Sequence, residues 1–201
     1  MLVGRRAAAS LNALVRAFDV VACGLFLPVF VLILLIVLIA IRWQSPGPAI
    51  FRQVRVGKDG RPFTCYKFRT MYFGTANLPT HEVQASSVTA LGEHLRRFKI
   101  DELPQLWNVL SGDMSLVGPR PCLPSQVDLV EARRRLGVLD VRPGITGLAQ
   151  VNGVDMSDAN RLAEIDAQYV RTQSLMGDFR LILATLRGQG VGVDRIVHSN
   201  K

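Results

Sequence analysis

Within "RRFKIDELPQLWNVLSGDMSLVGPRP" (96–121) an adjacent acid pair, Asp101-Glu102, stands between a basic run and an arginine bracketed by prolines. The run supplies Arg96, Arg97 and Lys99. Pro119 and Pro121 restrict the backbone on both sides of Arg120, and so restrict where its guanidinium can point. Such rigidity suits an anion site, although a plain turn is the commoner use of Gly-Pro. Cys23, Cys65 and Cys122 lack disulfide-like or zinc-like spacing, and His81, His94 and His198 are scattered. Chemistry in this chain therefore has to come from carboxylates and cations. Reduced thiols suit a cytoplasmic domain.

The elements around the acid pair offer a competing explanation. Leu103, Leu106, Trp107 and Leu110 recur at helical spacing, so 101–110 reads as an amphipathic helix with Asp101 as N-cap and Glu102 in its first turn. Pro104 is tolerated in a first turn, and Ser111-Gly112 ends the helix. Capping accounts well for one acid only. Upstream, "AIFRQVRVGKDGRPFTCYKFRTM" reads as a hairpin, with strands near Ile50–Val56 and Phe63–Thr70 around a Gly57–Gly60 turn. Lys67 and Arg69 share one face of its second strand, which without further context is as consistent with a solvated face as with a site.

Leu91, Leu95 and Phe98 mark a short helix after a polar loop at 72–88. Ser125 and Asp128 open another helix, which ends at Gly137 and carries "EARRR" as a solvated face. "VRPGITGLAQVNG" is turn-rich with a short extended piece. A helix over 157–173 buries Leu162, Ile165 and Tyr169 with Asp166 near their edge. Phe179, Ile182, Leu183 and Leu186 form a last apolar stripe, suited either to core packing or to a membrane interface.

The 201 residues carry a formal net charge of +8. Ten Lys/Arg and two acids lie before residue 71, so the whole surplus flanks the uncharged run Val20–Ile41 and the remainder is neutral. As a helix that run would reach ~33 Å, against a hydrocarbon core of ~30 Å. It is too long for a signal peptide, and no cleavage site follows it. Pro28 would kink it. Arginines on both sides depart from the asymmetry expected of a span. A kinked span and a helix that bends at Pro28 and returns to its own side both remain open. No internal repeat and no Gly-rich nucleotide loop is present.

Taken together, "SPGPAIFRQVRVG", "YKFRTM", "LRRFKIDELPQLWNVLSGDMSLVGPRP" and "VRPGITGLAQVNG", in that order, resemble the small monotopic phosphoglycosyl transferases of the bacterial sugar transferase family. The likeness covers nearly the whole chain. It implies a helix-rich α+β fold: a re-entrant membrane helix within 1–45, broken near Pro28, and a compact catalytic domain over 46–201 with a small β-hairpin and interfacial amphipathic helices. Leu27 stands where the family typically has a serine before the proline.

The resemblance further implies transfer of a sugar-1-phosphate from a UDP-sugar to a polyprenyl phosphate such as undecaprenyl phosphate, with release of UMP. This would be the first membrane step of glycoconjugate synthesis, on the cytoplasmic face of the bacterial inner membrane. By the same match Asp101 is the nucleophile that forms an aspartyl-phosphosugar, and Glu102 binds Mg²⁺. Lys67, Arg96 and Arg120 bind substrate phosphate. Arg142 and Asp166 support the nucleotide-sugar or the active site, although Arg142 is equally readable as a turn anchor.

The rival from another class is a non-catalytic membrane subunit that organises glycan-assembly enzymes. A polyprenyl-diphosphate hydrolase is the rival among enzymes. Nucleic acid is not an expected partner, because the positive surplus hugs the membrane run and no binding motif accompanies it. Preference among N-acetylated UDP-sugars is expected in loops such as 72–88 and 153–158. The sequence leaves the oligomeric state open, a homodimer included.

Overall fold

The computed structural model describes residues 2–74 and 87–188, with side chains from residue 10 onward. Most of the expected 72–88 loop lies outside the described residues. The fold is helix-rich α+β. Helix α1 (Leu2–Gln44) leads into an antiparallel hairpin of β1 (Ile50–Val56) and β2 (Pro62–Phe68). Next come α2 (Ala90–Arg97), a single 3-10 turn at Ile100–Glu102 and α3 (Gln105–Ser111). The rest is β3 (Ser115–Val117), α4 (Val127–Arg135), β4 (Gly144–Thr146), α5 (Leu148–Val151), α6 (Ala159–Thr172) and α7 (Leu175–Leu186).

The hairpin register runs from Ile50 opposite Phe68 to Val56 opposite Pro62. Its second strand leaves one edge unpaired, and buried Asn108 completes it. The Asn108 side-chain amide donates to the Thr64 carbonyl at 2.7 Å and accepts from the Tyr66 N–H at 3.1 Å. A side chain thus stands in for a neighbouring strand. It also locks α3 against the strand that carries Lys67.

Helix α1 is continuous across Pro28, so the expected break is not an interruption of the helix. Proline removes one backbone donor, and the turns on either side stay helical. The apolar side chains around it face outward, Leu25 being 73% exposed and Leu27 43%.

Both ends of the apolar run are docked. Near its start, Arg16 donates to the carbonyls of Val109 and Leu110, the latter at 2.7 Å, and Asp19 Oδ1 accepts the Leu116 N–H at 3.1 Å. Near its end, Val37 and Ile41 pack with Ala49, Phe68 and Leu95. Arg69, expected on the same strand face as Lys67, lies just past β2 and holds the exit. Its guanidinium donates to Pro46 O, Ser45 O and Ser45 Oγ at 2.7–2.8 Å.

The short extended piece expected in "VRPGITGLAQVNG" is β4, which pairs in parallel with β3, Ser115 opposite Gly144 and Val117 opposite Thr146. Glycine is required there by space. A Cβ on Gly144 would lie 2.0 Å from the Gly118 nitrogen and 2.5 Å from the Thr146 oxygen. The backbone of the "GPRP" loop and that of "RPGITG" therefore touch directly.

Gly144→Ala should force these two backbones apart. Its melting temperature in detergent should drop by at least about 5 °C, the effect of roughly 2 kcal/mol in a chain of this size. Gly24→Ala, where a Cβ meets nothing within 4 Å, should leave it unchanged or slightly raised.

Candidate active site

Asp101 does not cap α3. That helix begins at Gln105 with Pro104 as its N-cap residue, and the two acids occupy the preceding 3-10 turn. The cause lies one residue upstream. Lys99 adopts a left-handed backbone at φ 56°, which ends the α2 segment and turns the chain sharply into Ile100–Glu102. Ile100 and Leu103 pack into the cluster formed by Val37, Ile41, Phe68 and Leu95, so the turn rests on α1 and the hairpin. Gly112, at φ 91°, terminates α3 as expected.

The two acids occupy opposite environments. Glu102 is buried, and its Oε1 accepts from Lys67 Nζ at 2.8 Å and from Arg120 Nη2 at 2.6 Å. Burial alone would push its carboxyl up. The charges of Arg120 and Lys67 outweigh that and hold it well below the usual carboxylate range. Arg120 is raised in turn, chiefly by Glu102.

Asp101 is half-buried and has no hydrogen bond or ion pair among the described residues. Burial, and then the neighbouring Glu102 charge, push its carboxyl up to about 6 against the pull of Lys67, Arg120 and Arg96. One acid is pinned. The other is presented.

Arg96 is the member of the basic run that bears on the pair. Its Nε donates to Thr70 Oγ1 at 2.9 Å, and its charge is felt at Asp101. Arg97 instead stacks over the Phe98 ring at 5.7 Å, and Lys99 is exposed. Arg142 donates to the Gly112 carbonyl at 2.8 Å, at the far end of α3 from the acid pair. This is the turn-anchor geometry.

Asp166 stands behind the site. Its Oδ2 accepts from Arg133 Nε at 3.0 Å and Nη2 at 2.7 Å, and Arg133 Nη1 donates to the Arg120 carbonyl at 2.8 Å. Arg133, expected on a solvated face, is 2% exposed. It lies four residues after buried Leu129 and so on the inward face of α4, a periodicity that could have identified it. Arg55 was also missed. It donates to the Pro121 carbonyl at 3.0 Å and to Gln53 Oε1 at 2.8 Å, and burial first, then Arg120, lower its pKa to about 10.

Among the described residues no three His, Cys, Asp or Glu side chains gather as a metal cage. The adjacent carboxylates still suit a hard cation that takes one or two protein oxygens and completes its shell with substrate phosphate and water. The Glu102 oxygen not engaged by Lys67 and Arg120 would be such a ligand.

Comparison with known proteins agrees with the motifs. The family model described as "Bacterial sugar transferase" matches residues 10–189. A UDP-glucose:undecaprenyl-phosphate glucose-1-phosphate transferase of Caulobacter vibrioides is 43% identical over 182 residues, 85% of this chain and 67% of the relative. The sugar transferase EpsL of Bacillus subtilis is 41% identical over 178 residues, 86% of this chain and 85% of the relative. A UDP-N-acetylgalactosamine-undecaprenyl-phosphate N-acetylgalactosaminephosphotransferase of Aeromonas hydrophila is 38% identical, and the chain spans 42% of its length. With one family model covering almost its full length and relatives above 40% identity, the chain belongs to the bacterial sugar transferase family.

Proposed function

We propose that the chain transfers a sugar-1-phosphate from a UDP-sugar to undecaprenyl phosphate through a covalent intermediate on Asp101. The observation that carries this reading is the contrast between the adjacent acids: Glu102 held by two cations, Asp101 unpartnered and with a raised pKa. At pH 7 a carboxyl with a pKa of about 6 is still about nine-tenths ionised, so it needs no general base. Its charge is poorly solvated, which favours attack.

In the first half-reaction an Asp101 oxygen bonds to the sugar-side phosphorus. The bond from that phosphorus to the bridging oxygen breaks, and UMP leaves with the electron pair. In the second, a phosphate oxygen of the lipid attacks the same phosphorus. The bond to Asp101 breaks, the carboxylate is restored, and a sugar-diphosphate lipid departs. Arg120, Lys67 and Arg96 stabilise the charge gathered on the phosphoryl oxygens. Mg²⁺ held by Glu102 would supply further neutralisation of the diphosphate.

The relatives' names include glucose as well as N-acetylgalactosamine, so the expected restriction to N-acetylated sugars is widened. Residues that handle diphosphate are common to either sugar. Sugar choice then belongs to surrounding loops such as 153–158.

The reading places the catalytic domain on the cytoplasmic face of the inner membrane with α1 re-entrant. Support comes from the docking of both ends of the apolar run on the same domain, while 24–29 face outward. Met176, Phe179 and Leu186 on α7 are exposed as well, as on a helix lying in the interface. In a background lacking the native cysteines, single cysteines at Ser10 and Gln44 should both be labelled from the cytoplasmic side only. Periplasmic labelling at Ser10 would restore a spanning helix.

The acids should separate in stability as well as in catalysis. The folded-state pKa of Asp101 is raised, so its ionised form opposes folding at neutral pH; that cost begins to shrink as pH falls through about 6 and is gone below the ordinary carboxylate range. Glu102 is lowered, so its contribution is present above the ordinary carboxylate range and is lost in acid. Measured with a chelator at pH 7, Asp101→Asn should melt higher by about 3 °C, on the order of 1 kcal/mol, and Glu102→Gln should melt lower. Asp101→Asn should also abolish activity. Near-wild-type turnover by Asp101→Asn would exclude it as nucleophile.

A two-step reaction predicts parallel double-reciprocal lines. Without lipid, enzyme and UDP-sugar should release about one UMP per site, exchange labelled UMP into UDP-sugar, and leave a sugar-phosphate mass on the Asp101 peptide. Intersecting lines with no burst or exchange would mean direct transfer in a ternary complex.

A further inference from the structure

We propose that Arg133 is a positioning residue of this site: it sets Arg120 by holding that residue's carbonyl, and Asp166 acts through it. The inference rests on the transfer reading above for its catalytic consequence, though not for its geometry.

The loop that carries Arg120 has little means of holding itself. Pro119 and Pro121 have no N–H, and four successive carbonyls are fixed from outside. Pro119 O accepts from Gly144 N at 2.9 Å, and Arg120 O from Arg133 Nη1 at 2.8 Å. Pro121 O accepts from Arg55 Nη1 at 3.0 Å, and Cys122 O from Val56 N at 2.9 Å. The Arg120 carbonyl belongs to the residue whose guanidinium reaches Glu102. Rotation of that peptide would swing the guanidinium away from the acid pair.

Arg133 is built to prevent this rotation. Nε and Nη2 are taken by one oxygen of Asp166, which leaves Nη1 aimed at the loop. Both partners of the pair are nearly inaccessible, at 3% and 2% of side-chain surface. A buried ion pair rarely stabilises a fold more than apolar residues of the same volume would. Apolar residues could not donate to a carbonyl. The planar guanidinium serves both partners at once in fixed directions, whereas a lysine ammonium, on a shorter reach, cannot keep both geometries.

The test compares full-length wild type, Arg133→Lys, Arg120→Ala and the double variant in detergent or nanodiscs. Arg133→Lys should lower kcat by about 10- to 100-fold, as a misplaced catalytic group does, with KM for the lipid unchanged and the UMP burst at full amplitude but slower. In the Arg120→Ala background the same substitution should cost nothing more. A merely structural role would reduce the burst amplitude while leaving the rate per active site unchanged. That outcome overturns the proposal, as does a wild-type rate in Arg133→Lys or an equal loss in the Arg120→Ala background.

Should Arg133→Lys fold poorly, the paired swap Arg133→Gln with Asp166→Asn removes both charges and leaves no lone buried ion. It should show the same slow burst. Amide exchange at Gly118, Arg120 and Cys122 needs no turnover and should quicken in either variant. Wild type that releases no UMP with any UDP-sugar would defeat the transfer reading alone. Unchanged exchange at these amides would defeat the clamp whatever the reaction.

Discussion

The Glu102 carboxylate, buried between Lys67 and Arg120, is the constraint on which the rest of the molecule depends. A buried carboxylate left without cations would take up a proton or disrupt the fold. Three separate elements must therefore converge on one oxygen. The hairpin delivers Lys67, the proline-bracketed loop delivers Arg120, and the 3-10 turn delivers Glu102 itself. Asp101 needs no partners of its own. It is placed by being the residue before one that cannot move, and it is exposed to the field of the same cations without being neutralised by them.

Each delivery has its own support, and the supports interlock. Asn108 holds α3 to the open edge of β2, which fixes the spacing between Lys67 and the acid turn. Backbone contact among Gly118, Gly144 and Thr146 holds the base of the Arg120 loop. At the opposite end of α3, Arg16 from α1 and Arg142 from the turn before β4 bind the carbonyls of Val109, Leu110 and Gly112. The helix leading out of the acid turn is thus anchored at its far end by α1. The position of the acid turn relative to α1 is therefore set by side-chain contacts rather than by a flexible tether.

Legibility of this arrangement in the sequence depended on how local each feature is. Strand β1 carries the bounds read from alternation and the Gly57–Gly60 turn, and Gly112 ends α3 as its residue type requires. Asp101 misled because Asp before a periodic apolar run is the ordinary signature of a cap. The left-handed Lys99 that displaces it has no compositional mark. Arg133 was lost within a run of three arginines, two of which are exposed. Only the register of Leu129 and Ala132 separates it from Arg134 and Arg135. Pro28 predicted an interruption, yet a single missing donor in an apolar helix leaves the remaining ladder intact. The partnership of Asp166 with Arg133 crosses 33 positions, and a single sequence contains no trace of such a contact.

The acid pair is one device with two pKa values rather than two independent carboxyl groups side by side. Pinning Glu102 places a permanent negative charge next to Asp101, and that charge is the second cause, after burial, of the raised Asp101 pKa. In the proposed transfer, the cations that stabilise Glu102 are also those that receive the diphosphate. When a diphosphate approaches Arg120 and Lys67, it competes with Glu102 for their donors, so binding draws charge from the pinned acid toward the substrate. An accompanying Mg²⁺ on Glu102 would offset that loss. In the proposed transfer, substrate binding and nucleophile activation would share a single set of cations, and the Arg120 loop would have to be rigid, because a mobile guanidinium would follow Glu102 or the phosphate instead of holding a position between them.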